Sequence, residues 1–164
     1  MKNFDEIKLA KELINFPTIK TEDKGIMKFL SKKLSSIGFK CKIIKSKGMD
    51  SAHALNLFAK FGNSVPHINF LGHTDVVLNL NNWNFPPFKA VIKNGYLYGR
   101  GAQDMKGGIA CWISAVSKFI KKKKFKGSIS IIIAADEETT GYGTPAVVKY
   151  LSKRREKIDF SIVG

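Results

Sequence analysis

The run Ser128-Ile129-Ser130-Ile131-Ile132-Ile133-Ala134-Ala135, followed at once by Asp136-Glu137-Glu138, decides how this chain is read. Isoleucine dominates it, no glycine or proline interrupts it, and it is short for a helix, so it predicts a buried strand. A strand that ends in ligating side chains holds them on fixed backbone at the edge of a sheet. In open α/β sheets, binding groups gather at such carboxyl ends. His67-Ile68-Asn69-Phe70-Leu71 is a second buried strand, and it runs into Gly72-His73-Thr74-Asp75. Two strand ends are therefore expected to point at one place.

Around this pair the spacing of apolar residues predicts helices over 4–15, ended by Pro17, and over 23–36, stopped by Gly38. Residues 39–45 and 54–61 alternate as half-buried strands do. Asn94-Gly95 between two short β-prone runs is a strong hairpin signal, and the hairpin delivers Gly99-Arg100-Gly101-Ala102-Gln103-Asp104. Beyond it come a helix from Met105 to about Phe119, the strand over 127–135, a helix over 144–154 and a strand over 158–163. Helix, strand, helix, strand is the rhythm of an α/β fold, with helices packed on a mixed, largely parallel sheet. No internal repeat, low-complexity tract or linker divides the chain.

The chain has 164 residues, 44% of them hydrophobic, enough for one packed core. Its 28 basic and 13 acidic residues give a net charge of +15, which raises nucleic acid, a membrane surface or anionic substrates as partners. The excess is mostly dispersed lysine. Its densest run, Lys121-Lys122-Lys123-Lys124, closes a helix and complements the negative end of that helix's dipole. Binders of single-stranded nucleic acid interleave basic and aromatic side chains on one platform. No such stripe is present, so no nucleic-acid partner is expected. No stretch approaches the ~20 apolar residues that span a bilayer. The opening Met1-Lys2-Asn3-Phe4-Asp5-Glu6 leads into an amphipathic helix rather than a secretory signal, so a cytoplasmic protein without a membrane partner is expected. Cys41 and Cys111 lack zinc-finger spacing and are expected to be buried structural thiols.

The residues at the strand ends suit metal hydrolysis. That chemistry needs fixed ligands, an open coordination position for water, and a base for the proton that water loses. His73 can supply imidazole, Asp104 a carboxylate able to bridge two metals, and Glu138 a further ligand, which leaves Glu137 as the base. Asp104 also precedes a helix, where a carboxylate can cap free amides instead; both roles fit locally. Asp75, two residues after His73, returns to the histidine's side and can fix its tautomer. His53 and His67 have no comparable setting and are expected to stand outside the site.

Taken together, 70–77, Trp83-Asn84-Phe85-Pro86-Pro87-Phe88, 96–108 and Asp136-Glu137-Glu138 resemble the M20 metallopeptidase family, and within it the succinyl-diaminopimelate desuccinylase subfamily. The resemblance implies the N-terminal part of a zinc-peptidase-like catalytic domain. It implies two Zn2+ ions, with Co2+ possible in one or both sites: His73 on one zinc, Asp104 bridging, Glu138 on the second, Glu137 as general base, and Asp75 orienting the histidine. The implied substrate is N-succinyl-LL-2,6-diaminopimelate, cleaved to succinate and LL-2,6-diaminopimelate on the route to lysine and cell-wall precursors. Leu78 stands where the subfamily usually has proline, and Thr139-Thr140-Gly141 where it has a more glycine-rich run. The resemblance further implies a homodimer in the full-length protein. A dimerisation domain, a carboxylate ligand from a Gly-Glu-Pro-like turn and a last histidine ligand are expected to lie outside residues 1–164. Acetylornithine deacetylases, aminoacylases and dipeptidases share the metal pattern. An inactive fragment and a basic nucleic-acid-binding domain are the readings from other classes.

Overall fold

The computed structural model describes residues 3–47, 53–78, 81–122 and 124–164. Lys123, the third residue of the lysine run, and Met1 and Lys2 lie outside them. Its elements are α1 (Glu6–Ile14), α2 (Ile26–Ser35), β1 (Lys40–Lys47), β2 (His53–Phe61), β3 (His67–His73), β4 (Val91–Lys93), β5 (Tyr96–Tyr98), α3 (Lys106–Lys122), β6 (Ser128–Ala134), α4 (Gly143–Lys153) and β7 (Phe160–Val163).

Five strands form one sheet in the order β1-β2-β6-β3-β7. β2 pairs antiparallel with both β1 and β6, whereas β3 pairs parallel with β6 and β7. Four strands thus run one way and β2 runs the other, which is the mixed, largely parallel sheet that the pattern predicts. Helices α1, α2 and α3 cover one face, where Leu13, Leu30, Ile109 and Ile113 pack with Leu57, Phe70 and Ile131. Helix α4 covers part of the other through Val147 and Leu151 against Ile44, Phe58 and Ile132. β4 and β5 form a separate hairpin, and Asn94 and Gly95 both have positive φ, 51° and 80°, as a two-residue hairpin turn of the I′ type requires.

Three expectations are corrected. β2 is not half-buried: it lies second in the sheet between α2 and α4, so Asn56, Leu57, Phe58 and Ala59 are all buried. The alternation puts Asn56 on the α4 face, which a helix covers. Its side chain is fully buried and compensated: Nδ2 donates to Ile44 O (3.1 Å) and Ser46 Oγ (3.0 Å), and Oδ1 accepts from Ala135 N (2.9 Å). Cys111 is exposed and Cys41 half-buried, because the core-facing positions of α3 are taken by Ile109, Ala110 and Ile113. Helix α2 also begins later than its pattern, since Asp23 binds the amides of Gly25 (2.8 Å) and Met27 (3.1 Å) from ahead of the helix. Among the described residues no helix is long and apolar enough to cross a membrane.

Asp5 caps α1 by accepting from Lys8 N at 2.7 Å, and Glu6 ties α1 to α3 by accepting from Ser114 Oγ (2.7 Å) and Lys118 Nζ (3.0 Å). Those two partners, Ser114 first, lower the Glu6 carboxyl from its usual 4.5 to about 2. A carboxyl lowered in the folded state stabilises it above the unfolded pKa and loses that effect as pH falls through the folded one. Glu6→Gln should therefore lower Tm near neutral pH, and thermal melts followed by circular dichroism should show its gap from wild type closing between pH 4.5 and about 2. Asn56→Ala removes the partners of Ala135 N and Ile44 O, and should cost about 1–3 kcal/mol for each group left unpaired, read by urea unfolding.

Candidate metal centre

In the parallel register of β3 and β6, His73 stands opposite Ala134. The chain leaving β6 therefore passes beside the imidazole within two residues. The turn that follows is built on Asp136, which is buried and has φ +65°, in the left-handed region. Its carbonyl accepts from Gly141 N (2.6 Å), and its carboxylate accepts from the hydroxyls of Thr139 and Thr140. Asp136 thus shapes the turn rather than joining the cluster. Thr139-Thr140-Gly141, a departure at the level of sequence, supplies that turn's internal bonds.

Asp104 reaches the same place from the other side. The neighbouring Met105 is buried, its Sδ accepts from His73 N (3.1 Å), and its methyl fills the space beside Gly72, where an added Cβ would come within 2.5 Å of it. This contact stitches the end of β3 to the start of α3. The Asp104 carboxylate, 71% exposed, lies with Oδ1 3.1 Å from His73 Nε2, and among the described residues no amide is capped by it. Of its two local roles, the geometry favours the one facing the imidazole.

The structure brings His73, Asp104 and Glu138 together: each offers a ligand atom within 4.8 Å of the others. Glu137 stands beside them, half-exposed, with Oε2 3.6 Å from His73 Nε2. Asp75 is buried behind the cluster; its Oδ2 accepts from Glu138 N at 2.9 Å. His73 Nδ1 lies 3.1 Å from the Asp75 carbonyl and 3.7 Å from its carboxylate. A carbonyl can only accept, so Nδ1 carries the proton and Nε2 is the atom presented to the acids. The backbone of Asp75 fixes the tautomer, and its carboxylate adds charge.

Burial pulls the His73 imidazole down, but Asp75, by contact and by charge, and the charge of Glu137 outweigh it and lift the group to about 9. Glu138 is raised by burial first and then by the charges of Asp104, Glu137 and Asp75, with His73 opposing. With Asp104, Glu137 and Glu138 facing one imidazole the potential there is strongly negative, and a field that favours a proton also favours a divalent cation. One imidazole with several carboxylates suits zinc, cobalt or manganese. Beside the cluster is a cavity of about 460 Å³ lined by Val77, Trp83, Tyr98, Arg100, Asp104 and Glu138, in which the Arg100 guanidinium stacks 4.9 Å from the Trp83 ring.

His67 and His53 stand apart, as expected. His67 is buried between Lys157 O and Ser130 Oγ, each 2.7 Å from a ring nitrogen, and His53 is exposed at the start of β2. Sequence reasoning passed over Lys106, fully buried directly after the Asp104-Met105 pair, with its Nζ donating to Phe16 O at 2.7 Å. Burial pushes this ammonium down to about 8, against the charge of Asp75. Its only signal in the sequence is a lysine at a helical position otherwise taken by core residues.

A profile of peptidase family M20/M25/M40 matches residues 69–164. The chain is 51% identical to a succinyl-diaminopimelate desuccinylase of Pelagibacter ubique over 168 positions, which covers 100% of this chain and 44% of that protein. It is 46% identical to a protein of the same name from Ehrlichia canis, over 98% of this chain and 43% of that one. The chain thus spans less than half the length of these curated relatives. Among solved structures, human carnosine dipeptidase 1 superposes with a TM-score of 0.84 over 97% of this chain and 38% of its own, at 21% identity, which is a likeness of fold.

Replacing His73 by alanine in the full-length protein should weaken divalent-metal binding by more than ~100-fold, beyond the ~10–100-fold typical of losing only a ligand's hydrogen-bond partner. Competition against a chromogenic chelator measures it.

Proposed function

This chain belongs to peptidase family M20/M25/M40, and on that premise we propose that the full-length protein is a metal-dependent amidohydrolase that removes the succinyl group from N-succinyl-LL-2,6-diaminopimelate. The observation that carries the reading is the meeting of His73, Asp104 and Glu138 around one point, with Glu137 at its open side. The substrate is inferred from the names of the relatives at 51% and 46% identity.

The one imidazole and several carboxylates suit divalent metal, which we read as a pair of zinc ions with cobalt as an alternative. His73 and Glu138 would each hold one, and Asp104 would lie between them. Such ions polarise an amide carbonyl and bring the pKa of water into the neutral range. Glu137 is the general base: half-exposed beside the cluster, it takes the proton of the attacking water and returns it to the leaving amine. Asp75 keeps the imidazole turned so that Nε2 faces the centre. The products are succinate and LL-2,6-diaminopimelate. Residues 1–164 are read as the N-terminal portion of the catalytic domain, and the full-length protein as a homodimer.

Succinate release by the full-length protein, compared with acetate release from N-acetylornithine, tests the substrate; faster cleavage of the acetyl compound overturns it. Glu137→Gln should lower kcat by about 10²–10⁴-fold, the usual worth of a general base, while metal affinity measured by chelator competition stays near wild type.

A further inference from the structure

Lys106 is the largest fully buried side chain among the described residues, and the chemistry above makes no use of it. Its stem runs under Gly101, where an added Cβ would lie 3.1 Å from both Lys106 Cδ and Val76 Cγ1, and its backbone N–H donates to Gly101 O at 2.8 Å. Gly101 has φ +82°, so glycine's freedom and its missing side chain are both needed for the Asp104 turn to close over this lysine. Nζ donates to Phe16 O, and the same carbonyl accepts from Thr18 N at 2.9 Å. Thr18 in turn grips the segment after His73 from both sides of Asp75. Its Oγ1 donates to Thr74 O at 2.5 Å, its carbonyl accepts from Val76 N at 3.0 Å, and Ile19 bridges to Val76. Thr18, Thr74, Asp75, Val76 and Lys106 are all buried, so each of these bonds is shielded from water.

The path starts two residues after Asp104 and ends one residue after His73, passing through the segment that joins α1 to α2. We propose that Lys106 is a positioning residue of the metal centre: by anchoring Phe16–Thr18 it fixes the Thr74–Val76 segment, and so sets His73 and Asp75 relative to Asp104. The inference rests on reading the cluster as a metal centre. Lys106 Nζ donates to Phe16 O rather than to a residue of the cluster, so it acts through the N-terminal segment and through the Asp104 turn packed on its stem.

The test uses the full-length protein loaded with Co2+, whose absorption bands report ligand geometry, together with metal affinity by chelator competition and separate kcat and KM. Lys106→Met keeps most of the stem and removes the donor. Thr18→Val leaves Lys106 in place and removes only the hydroxyl, with its bond to Thr74 O and its longer contact to Phe16 O. Each should shift the cobalt bands in the same sense, weaken metal binding by ~10–100-fold as loss of an outer hydrogen-bond partner does, and lower kcat more than it changes KM. The double variant should be little worse than Lys106→Met alone, because the two act through one relay. A Lys106→Met protein with lowered Tm but wild-type cobalt bands and metal affinity would overturn the proposal, leaving Lys106 a packing residue. Should Lys106→Met fail to fold, unchanged bands and affinity in Thr18→Val overturn it equally. A wild-type protein that binds no divalent metal overturns the proposed function itself; variants indistinguishable from a metal-binding wild type overturn only the relay.

Discussion

The parallel register of β3 against β6 is the constraint on which the rest depends. It pairs Phe70 with Ile131 and His73 with Ala134, so the apolar side chains of both strands meet the same core and both strands finish at the same level. Side chains alternate along a strand, so a slip of one residue would turn Phe70 and Ile131 to opposite faces. The burial of Phe70, Ile129, Ile131 and Ile133 under three helices therefore holds the imidazole and the acidic turn in place. Hydrophobic packing far from the centre sets its geometry to within a residue.

That geometry gathers like charges. Asp75, Asp104, Glu137 and Glu138 surround a single imidazole, in a chain that carries a net charge of +15. The local potential opposes the global one, and the charges of Asp75 and Glu137 lift the His73 imidazole against its burial. Such a cluster is held against its own repulsion by bonds at its back: Met105 Sδ to the His73 amide, Asp75 to the Glu138 amide, and Asp136 to the two threonines. Functional sites commonly spend stability in this way. The basic excess of the whole chain gives a long-range field that favours the approach of anionic molecules.

Much of the fold was legible because it rests on local pattern. The isoleucine run of β6, the apolar run of β3 and Asn94-Gly95 each carry their own signal, and each forms the element expected. His73, Asp104, Glu137 and Glu138 were legible as a group because metal-binding residue types recur where strands and turns end. Asn56 was not. Alternation marks it as a polar position, but only the order of strands in the sheet decides that β2 is covered on both faces. Asp136 is another limit: in sequence it is one of three adjacent acids, and only its left-handed backbone separates it from the two that face the centre. Lys106 and Thr18 lie 88 positions apart and meet through Phe16 O, a main-chain atom that leaves no trace in residue type.

Met105 brings a chemical vulnerability. Its thioether receives the His73 amide on one side, and its methyl lies against Gly72 on the other. Oxidation to the sulfoxide would add an oxygen at that spot and turn an apolar filler into a polar group. The two turns that Met105 joins would then be pushed apart. Such oxidation would disturb the centre without touching a single ligand, and the burial of Met105 is what keeps an oxidant from its sulfur.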